Sequence, residues 1–229
     1  MRTIETTIYE FDELSDEAKK KAIEHFGQWW HEDFDGDCIK DNWKTKLEEL
    51  GYENTDILFS GFCSQGDGAC FKGGFHFDHK QSLALLPCDL ETKINIHNAK
   101  CRLHGTTEWL DLSMYGHIVT SGNYFHSGTM QVDGLGIHPV VWHRCNLGPC
   151  DCVPTWLGVC DEFEELIELL RKDKVYLDVE LTIKDQARSL ADEIYSDLEK
   201  EYEYRTSDEA VAEMIRANEY EFTEDGKQA

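Results

Sequence analysis

Apolar residues recur along this chain with two different periods, and the places where the period changes constrain its fold more than any other feature. In residues 15–30, SDEAKKKAIEHFGQWW, the residues Ala18, Ala22, Ile23, Phe26 and Trp30 form a stripe of helical spacing. Ser15 stands at the N-cap with Asp16 and Glu17 in the first turn, where a hydroxyl acceptor and negative charge suit the open N–H groups. A second helix is expected over residues 38–50, with Ile39, Trp43, Leu47 and Leu50 on one face and Gly51 ending it. Ahead of both, residues 2–11 alternate and predict a short strand.

The middle of the chain changes character. DILFSGF, ACFKGGFHF, TKINIHN, EWLDLSMYGHIV and TMQVDGLGIH are short, rich in β-branched and aromatic residues, and separated by Gly, Asn and Ser. They are expected to be strands of an antiparallel sheet joined by turns. Helical spacing returns in CDEFEELIELLRK, through Phe163, Leu166, Ile167 and Leu170. Residues 175–183, VYLDVELTI, alternate and predict a further strand, and a helix carrying Ala187, Leu190, Ala191, Ile194, Leu198 and Tyr202 follows. A last short helix begins at Ser207, where SDEA repeats residues 15–18. Capping chemistry accounts for that repeat better than duplication, because Ser followed by Asp and Glu suits any helix start. The expected fold class is therefore α+β: an antiparallel meandering sheet with N- and C-terminal helices packed on one face. No low-complexity linker interrupts the chain, so one domain is expected over residues 1–229, with a Cys-rich insertion at about 137–172.

Charge narrows the partners. There are 46 acids against 22 Lys and Arg, a formal −24. Residues 1–51 carry −7, residues 52–160 carry −4 and residues 161–229 carry −13. A direct nucleic-acid binder needs a basic footprint, so this balance argues against one. A field of this sign attracts basic surfaces instead. No run of ~18 apolar residues suggests a membrane span. The alternating N-terminus lacks an apolar signal region, so an intracellular location is expected, with the nine cysteines as thiols or metal ligands rather than disulfides.

Four stretches carry candidate chemistry. The loop SQGDG, residues 64–68, lacks the Lys of a phosphate-binding loop and is followed by a strand-like segment rather than a helix. It is expected to be a turn, or an exposed recognition loop in which Gln65 and Asp67 make polar contacts. Cys145, Cys150, Cys152 and Cys160, with His143 as a substitute ligand, offer a tetrahedral zinc site, although their spacing lacks paired Cys-x2-Cys knuckles. In FHFDH, His76 and Asp78 would share a strand face and could begin a metal or acid–base site, but no nucleophile motif accompanies them. Finally, Asp185, Asp192, Glu193, Asp197, Glu199, Glu201 and Glu203 supply acids to the polar face of one C-terminal helix. They are expected either to be a solvated face or to form a DNA-like charge array that occupies another protein's basic groove, with Tyr195, Tyr202 and Tyr204 as anchors.

YEFDELSDEAKKKAIEHF, FSGFCSQGDGACF and EYEYRTSDEAVAEMIRANEYEFTEDG together resemble a family of uncharacterised bacteriophage and prophage proteins, some of whose members carry the label of an antitoxin of a toxin–antitoxin stability system. The Cys-rich stretch, with Cys63 and Cys70, departs from that pattern. The resemblance implies a phage-encoded protein in the cytoplasm of an infected bacterial host, and it identifies no catalytic residue. Without a catalytic signature, the expected function is binding: a counter-defence inhibitor of a host protein or ribonucleoprotein with a basic surface, such as an anti-CRISPR acting by nucleic-acid mimicry. The alternatives are an antitoxin or host-takeover regulator that neutralises a protein partner, and a metal-dependent hydrolase of a nucleotide signal.

Overall fold

Among the described residues the alternating N-terminus forms a strand at Tyr9–Glu10, which ends where Phe11–Glu13 close a 3-10 turn in which the Glu10 N–H donates to Glu13 Oε2 at 3.0 Å. The computed structural model describes residues 7–103, 108–143 and 161–229; of the expected strand, residues 2–6 lie outside them, while Thr7 and Ile8 are not strand and Phe11 belongs to the 3-10 turn. In chain order the elements are β1 (Tyr9–Glu10), α1 (Asp16–Glu32), α2 (Asp37–Glu49), β2 (Tyr52–Ser60), β3 (Gly68–Phe77), α3 (His79–Ala84), α4 (Cys88–Leu103), β4 (Glu108–Thr120), β5 (Met130–His143), α5 (Asp161–Leu170), α6 (Asp173–Arg205), α7 (Asp208–Ala217) and β6 (Glu221–Phe222). The architecture is mixed α and β, with a four-stranded antiparallel sheet and N- and C-terminal helices. Among the described residues no helix is long and apolar enough to cross a membrane.

Two compact units make up the chain. One runs to Lys40 and resumes at Ser196; the other is Asp41–Tyr195. In the first, β1 pairs with β6 antiparallel, Tyr9 opposite Phe222 and Glu10 opposite Glu221. Its core gathers Phe11, Leu14, Ala18, Ala22 and Phe26 with Val211, Ala212, Ile215 and Phe222. Both helix starts are capped as their SDEA motifs predict: Ser15 Oγ accepts from the Ala18 N–H and Ser207 Oγ from the Ala210 N–H, each at 3.3 Å. The C-terminal turn is held by Asp225, whose carboxylate accepts from Thr223 Oγ1 at 2.6 Å and pairs with Lys227 Nζ at 2.8 Å. Lys227 first, then the Thr223 hydroxyl, pull the Asp225 pKa down to about 2. Next in that turn stands Gly226, at φ +83°, where a side chain would run into the Ala18 carbonyl of α1.

In the second unit the strands lie in sequence order, β2-β3-β4-β5, a meander. One sheet face buries Tyr52, Ile57, Phe71, Phe75, Phe77, Leu110, Leu112, Met114 and Ile118. Tyr52 meets Phe71 and Phe77 edge-to-face, at 5.2 and 5.5 Å between centroids. The Tyr52 hydroxyl is buried there without a partner, and desolvation raises its pKa far above the ordinary value.

Two expected strands are helices instead. TKINIHN lies in α4, where the buried residues among those described are Leu90, Ile94, His97 and Asn98, a helical spacing. Ile96, which completed the apparent alternation, is 51% exposed. Residues 175–183 open α6, which buries Val179 and Ile183 completely and leaves Leu177 and Leu181 outside. In both places an apolar residue on the solvent side imitated a period of two. Of the expected Cys-rich insertion, 137–143 belong to β5 and 161–170 to α5, and 144–160 lie outside the described residues.

Candidate functional site

The seven C-terminal acids singled out in the sequence all fall on α6, but helical geometry divides them. At about 100° per residue, Glu193, Asp197 and Glu201, spaced by four, lie along one flank. Two of these three are matched by basic neighbours: Asp197 Oδ1 lies 3.2 Å from Lys200 Nζ, and Glu201 Oε1 accepts from Arg205 Nε at 2.7 Å. Asp192, Glu199 and Glu203 lie along the other flank, and Asp185, seven residues before Asp192, extends it. Asp185, Asp192 and Glu203 are exposed and Glu199 is half-buried. No ion pair to these four exists among the described residues. Along α6, Asp185, Asp192, Glu199 and Glu203 therefore form a stripe of four carboxylates roughly opposite the buried seam, and Glu193 on the other flank is likewise exposed without an ion pair among the described residues.

The tyrosines predicted as anchors separate in the same way. Tyr202 is engaged internally: its hydroxyl lies 2.6 Å from His31 Nδ1, and Phe34 packs edge-on at 5.3 Å. Tyr195 stacks on Phe62 at 5.6 Å and donates its hydroxyl to the Gly61 carbonyl at 3.2 Å. Tyr204, 61% exposed, is the one left open to a partner.

The SQGDG loop is a turn that uses its own acid. Asp67 Oδ2 accepts from the N–H groups of Cys63 and Ser64 at 2.9 and 2.6 Å, and the Asp67 N–H returns to the Ser64 carbonyl at 3.1 Å. Gly66 sits at φ +102°, a conformation that side chains resist. Gln65 is exposed at the tip, whereas the Asp67 carboxylate is occupied by backbone.

The FHFDH stretch takes a structural role that the sequence concealed. β3 stops at Phe77, paired with Met114, while β4 continues back to Glu108. Extending that register would set residues 79 and 81 opposite Leu112 and Leu110. Instead Asp78 leaves the strand and caps α3, its Oδ1 accepting from the Gln81 N–H at 2.9 Å. His76 stays exposed on β3 opposite Tyr115, so the expected His76–Asp78 site is replaced by a helix cap. The edge of β4 left by β3 is completed by side chains. His79 Nδ1 and Asp111 Oδ1 both lie 3.0 Å from the Leu112 N–H and 3.0 Å from each other. The Asn98 amide bonds both backbone groups of Leu110 at 2.9 Å. The neighbouring cavity, about 370 Å³, is lined by His79, Lys80, Glu91 and Asn95.

Cys145, Cys150, Cys152 and Cys160 of the zinc expectation lie outside the described residues, and His143 enters only as the backbone end of β5. Among the described residues no group of three or more His, Cys, Asp or Glu is arranged to hold a metal.

Two surface features had no counterpart in the sequence reasoning. Leu181, 40% exposed, lines a cleft of about 400 Å³ with Leu85, Leu86 and Pro87, and Leu177, 54% exposed, stands one turn before it on α6. In the other unit a cleft of about 530 Å³ lies on α1, lined by Phe26, Gln28, Trp29 and Glu32 with Tyr220 from the C-terminal segment. The i, i+3, i+4 spacing of residues 25, 28, 29 and 32 was visible in the sequence, but the approach of Tyr220 was not.

Residues 29–208 match a family described as a domain of unknown function, DUF8835. No curated protein and no solved structure matches the chain.

Proposed function

The chain belongs to the DUF8835 family, and on that premise we propose that it acts by binding, presenting the carboxylates of α6 to a partner with a basic surface. The observation that carries this is the stripe Asp185, Asp192, Glu199 and Glu203, which lies wholly within the family-matched span and has no basic residue paired to it among the described residues. On the other flank Asp197 and Glu201 are paired with Lys200 and Arg205, which leaves less unpaired charge there. In its specific form the reading is a phage counter-defence inhibitor, an anti-CRISPR or similar protein whose carboxylates stand where phosphates would in a host complex. The resemblance to phage proteins and the formal charge of −24 support that form.

Such recognition is steered by long-range charge and weakens as salt screens it. Captured on the full-length protein from defence-system-expressing cells, the partner should lose affinity at least about tenfold between about 50 and 200 mM salt. It should also compete with nucleic acid. Replacing all four stripe acids by their amides should flatten that salt dependence. Binding indifferent to both salt and substitution would sink the reading.

A second reading, neutralisation of a protein partner by apolar burial in the manner of an antitoxin, is favoured by exposed Leu181 beside Leu86 and Pro87, with exposed Leu177 one turn before it on α6. It predicts a complex that survives high salt and is lost in Leu177→Ser/Leu181→Ser.

A further inference from the structure

The cleft on α1 combines features that acidity alone does not explain. His25, Gln28, Trp29 and Glu32 occupy one face of α1 at spacings of three and four. Trp29 is 54% exposed although Phe26, three residues earlier on the same helix, is almost fully buried. Phe26 forms the floor by stacking on Tyr220 at 4.9 Å and 14° between planes. Gln28 Nε2 donates to Glu32 Oε1 at 3.3 Å, which orients the carboxylate and leaves Oε2 for another donor. No Lys or Arg lines the cleft. The unit that contains it, residues 1–40 and 196–229, carries 22 acids against nine Lys and Arg, a denser negative charge than the rest of the chain. Its volume of about 530 Å³ suits a ligand-sized group.

An open indole beside an oriented carboxylate is a receptor for a flat cation. A guanidinium is planar, weakly hydrated and rich in donors, so it can stack on the Trp29 ring and donate to Glu32 in one pose. An ammonium is compact and more strongly hydrated, and has no face to stack. An anionic group would be repelled by Glu32 and by the field of the whole unit. We propose that this cleft receives the guanidinium of an arginine side chain projecting from the basic partner. The inference rests on the binding reading above and deepens it: the α6 stripe supplies attraction, and the α1 cleft would supply a stereospecific anchor.

The test uses the full-length protein and three blocked pentapeptides, Gly-Gly-X-Gly-Gly, with X as arginine, lysine or citrulline. Citrulline keeps the planar shape and removes the charge. The readout is the indole N–H resonance of Trp29, assigned by its disappearance in Trp29→Phe. The arginine peptide should shift that resonance saturably, at least about threefold more tightly than the lysine or citrulline peptide. Glu32→Gln, an exposed and nearly isosteric change, should weaken the arginine peptide about three- to tenfold. Absence of a Trp29 shift, equal binding of the citrulline or lysine peptide, or indifference to Glu32→Gln would overturn the proposal. Amide substitution of Asp185, Asp192, Glu199 and Glu203 separates the two readings. If partner binding proves insensitive to salt and to those changes while the arginine peptide still binds, the stripe fails and the cleft stands. If the peptide fails while the salt dependence persists, the reverse holds.

Discussion

Replacing Asn98 by Ala should cost the second unit several kcal/mol, because Asn98 stands in for a missing strand. β4 has a sheet neighbour on its β3 side only as far as Met114, yet Leu110, four residues earlier, is completely buried. Its N–H and C=O on that segment are satisfied by one carboxamide: Nδ2 donates to the Leu110 carbonyl and Oδ1 accepts from the Leu110 N–H, both at 2.9 Å. Asn98 is itself only 8% exposed, so the vacated space is poorly placed to admit solvent. Truncation strips two buried backbone groups of their partners at once, and each costs about 1–3 kcal/mol when left unmade. The expected loss is therefore about 4 kcal/mol. Asn98→Asp should not rescue it, since an oxygen would then face the Leu110 carbonyl. Urea denaturation measures the total as a lower midpoint at unchanged slope. Amide hydrogen exchange at Leu110 reports the site itself, with protection falling by orders of magnitude. Asn95→Ala, on the exposed side of α4, is the control and should change stability by no more than about 0.5 kcal/mol. A loss below about 1 kcal/mol for Asn98→Ala, or one equal to the control, would refute the argument that a side chain completes the β4 edge.

Gly226→Ala should destabilise the first unit by about 2 kcal/mol or more, because alanine resists φ +83° and its Cβ would overlap the Ala18 carbonyl; a melting temperature within about 1 °C of the parent would contradict this. Tyr52→Phe removes a buried hydroxyl that has no partner, so stability should rise by about 1 kcal/mol in the same urea assay, and a loss of that size would show that the hydroxyl is satisfied. Burial is the main cause raising the Cys70 thiol pKa, and its side chain is inaccessible, whereas Cys38, Cys63 and Cys88 are exposed. Iodoacetamide at neutral pH followed by peptide mapping should therefore modify those three and spare Cys70 until denaturant is added; early labelling of Cys70 would contradict its burial.

Features governed by neighbouring residues were legible from the chain alone. Ser15 and Ser207 announce helix starts because the capping oxygen reaches an N–H only three residues away. The β2–β3 and β4–β5 segments announce themselves through β-branched and aromatic content broken by Gly, Asn and Ser, a composition that suits pleated strands joined by turns. The SQGDG segment declares a turn because its Asp67 serves N–H groups three and four residues away. In each case the deciding interaction has short sequence separation, so composition and spacing suffice.

Other features depended on what packs nearby. Ile96 in α4, with Leu177 and Leu181 in α6, looks like strand alternation until the fold shows that these residues face solvent while His97 and Asn98 take core positions. A polar residue can occupy such a position when the backbone beside it lacks a strand partner, which depends on where β3 ends. The acids of α6 could be counted in advance, but only the fold shows Asp197 and Glu201 held by Lys200 and Arg205 while Asp185, Asp192, Glu199 and Glu203 stand unpaired among the described residues. The α1 cleft needs Phe26 and Tyr220, 194 positions apart, brought into face-to-face contact. Local chemistry determined where helices begin and where the chain turns. Which polar groups remain free to act on a partner was decided by burial and long-range pairing, because a side chain's availability is set by what the rest of the fold has already used.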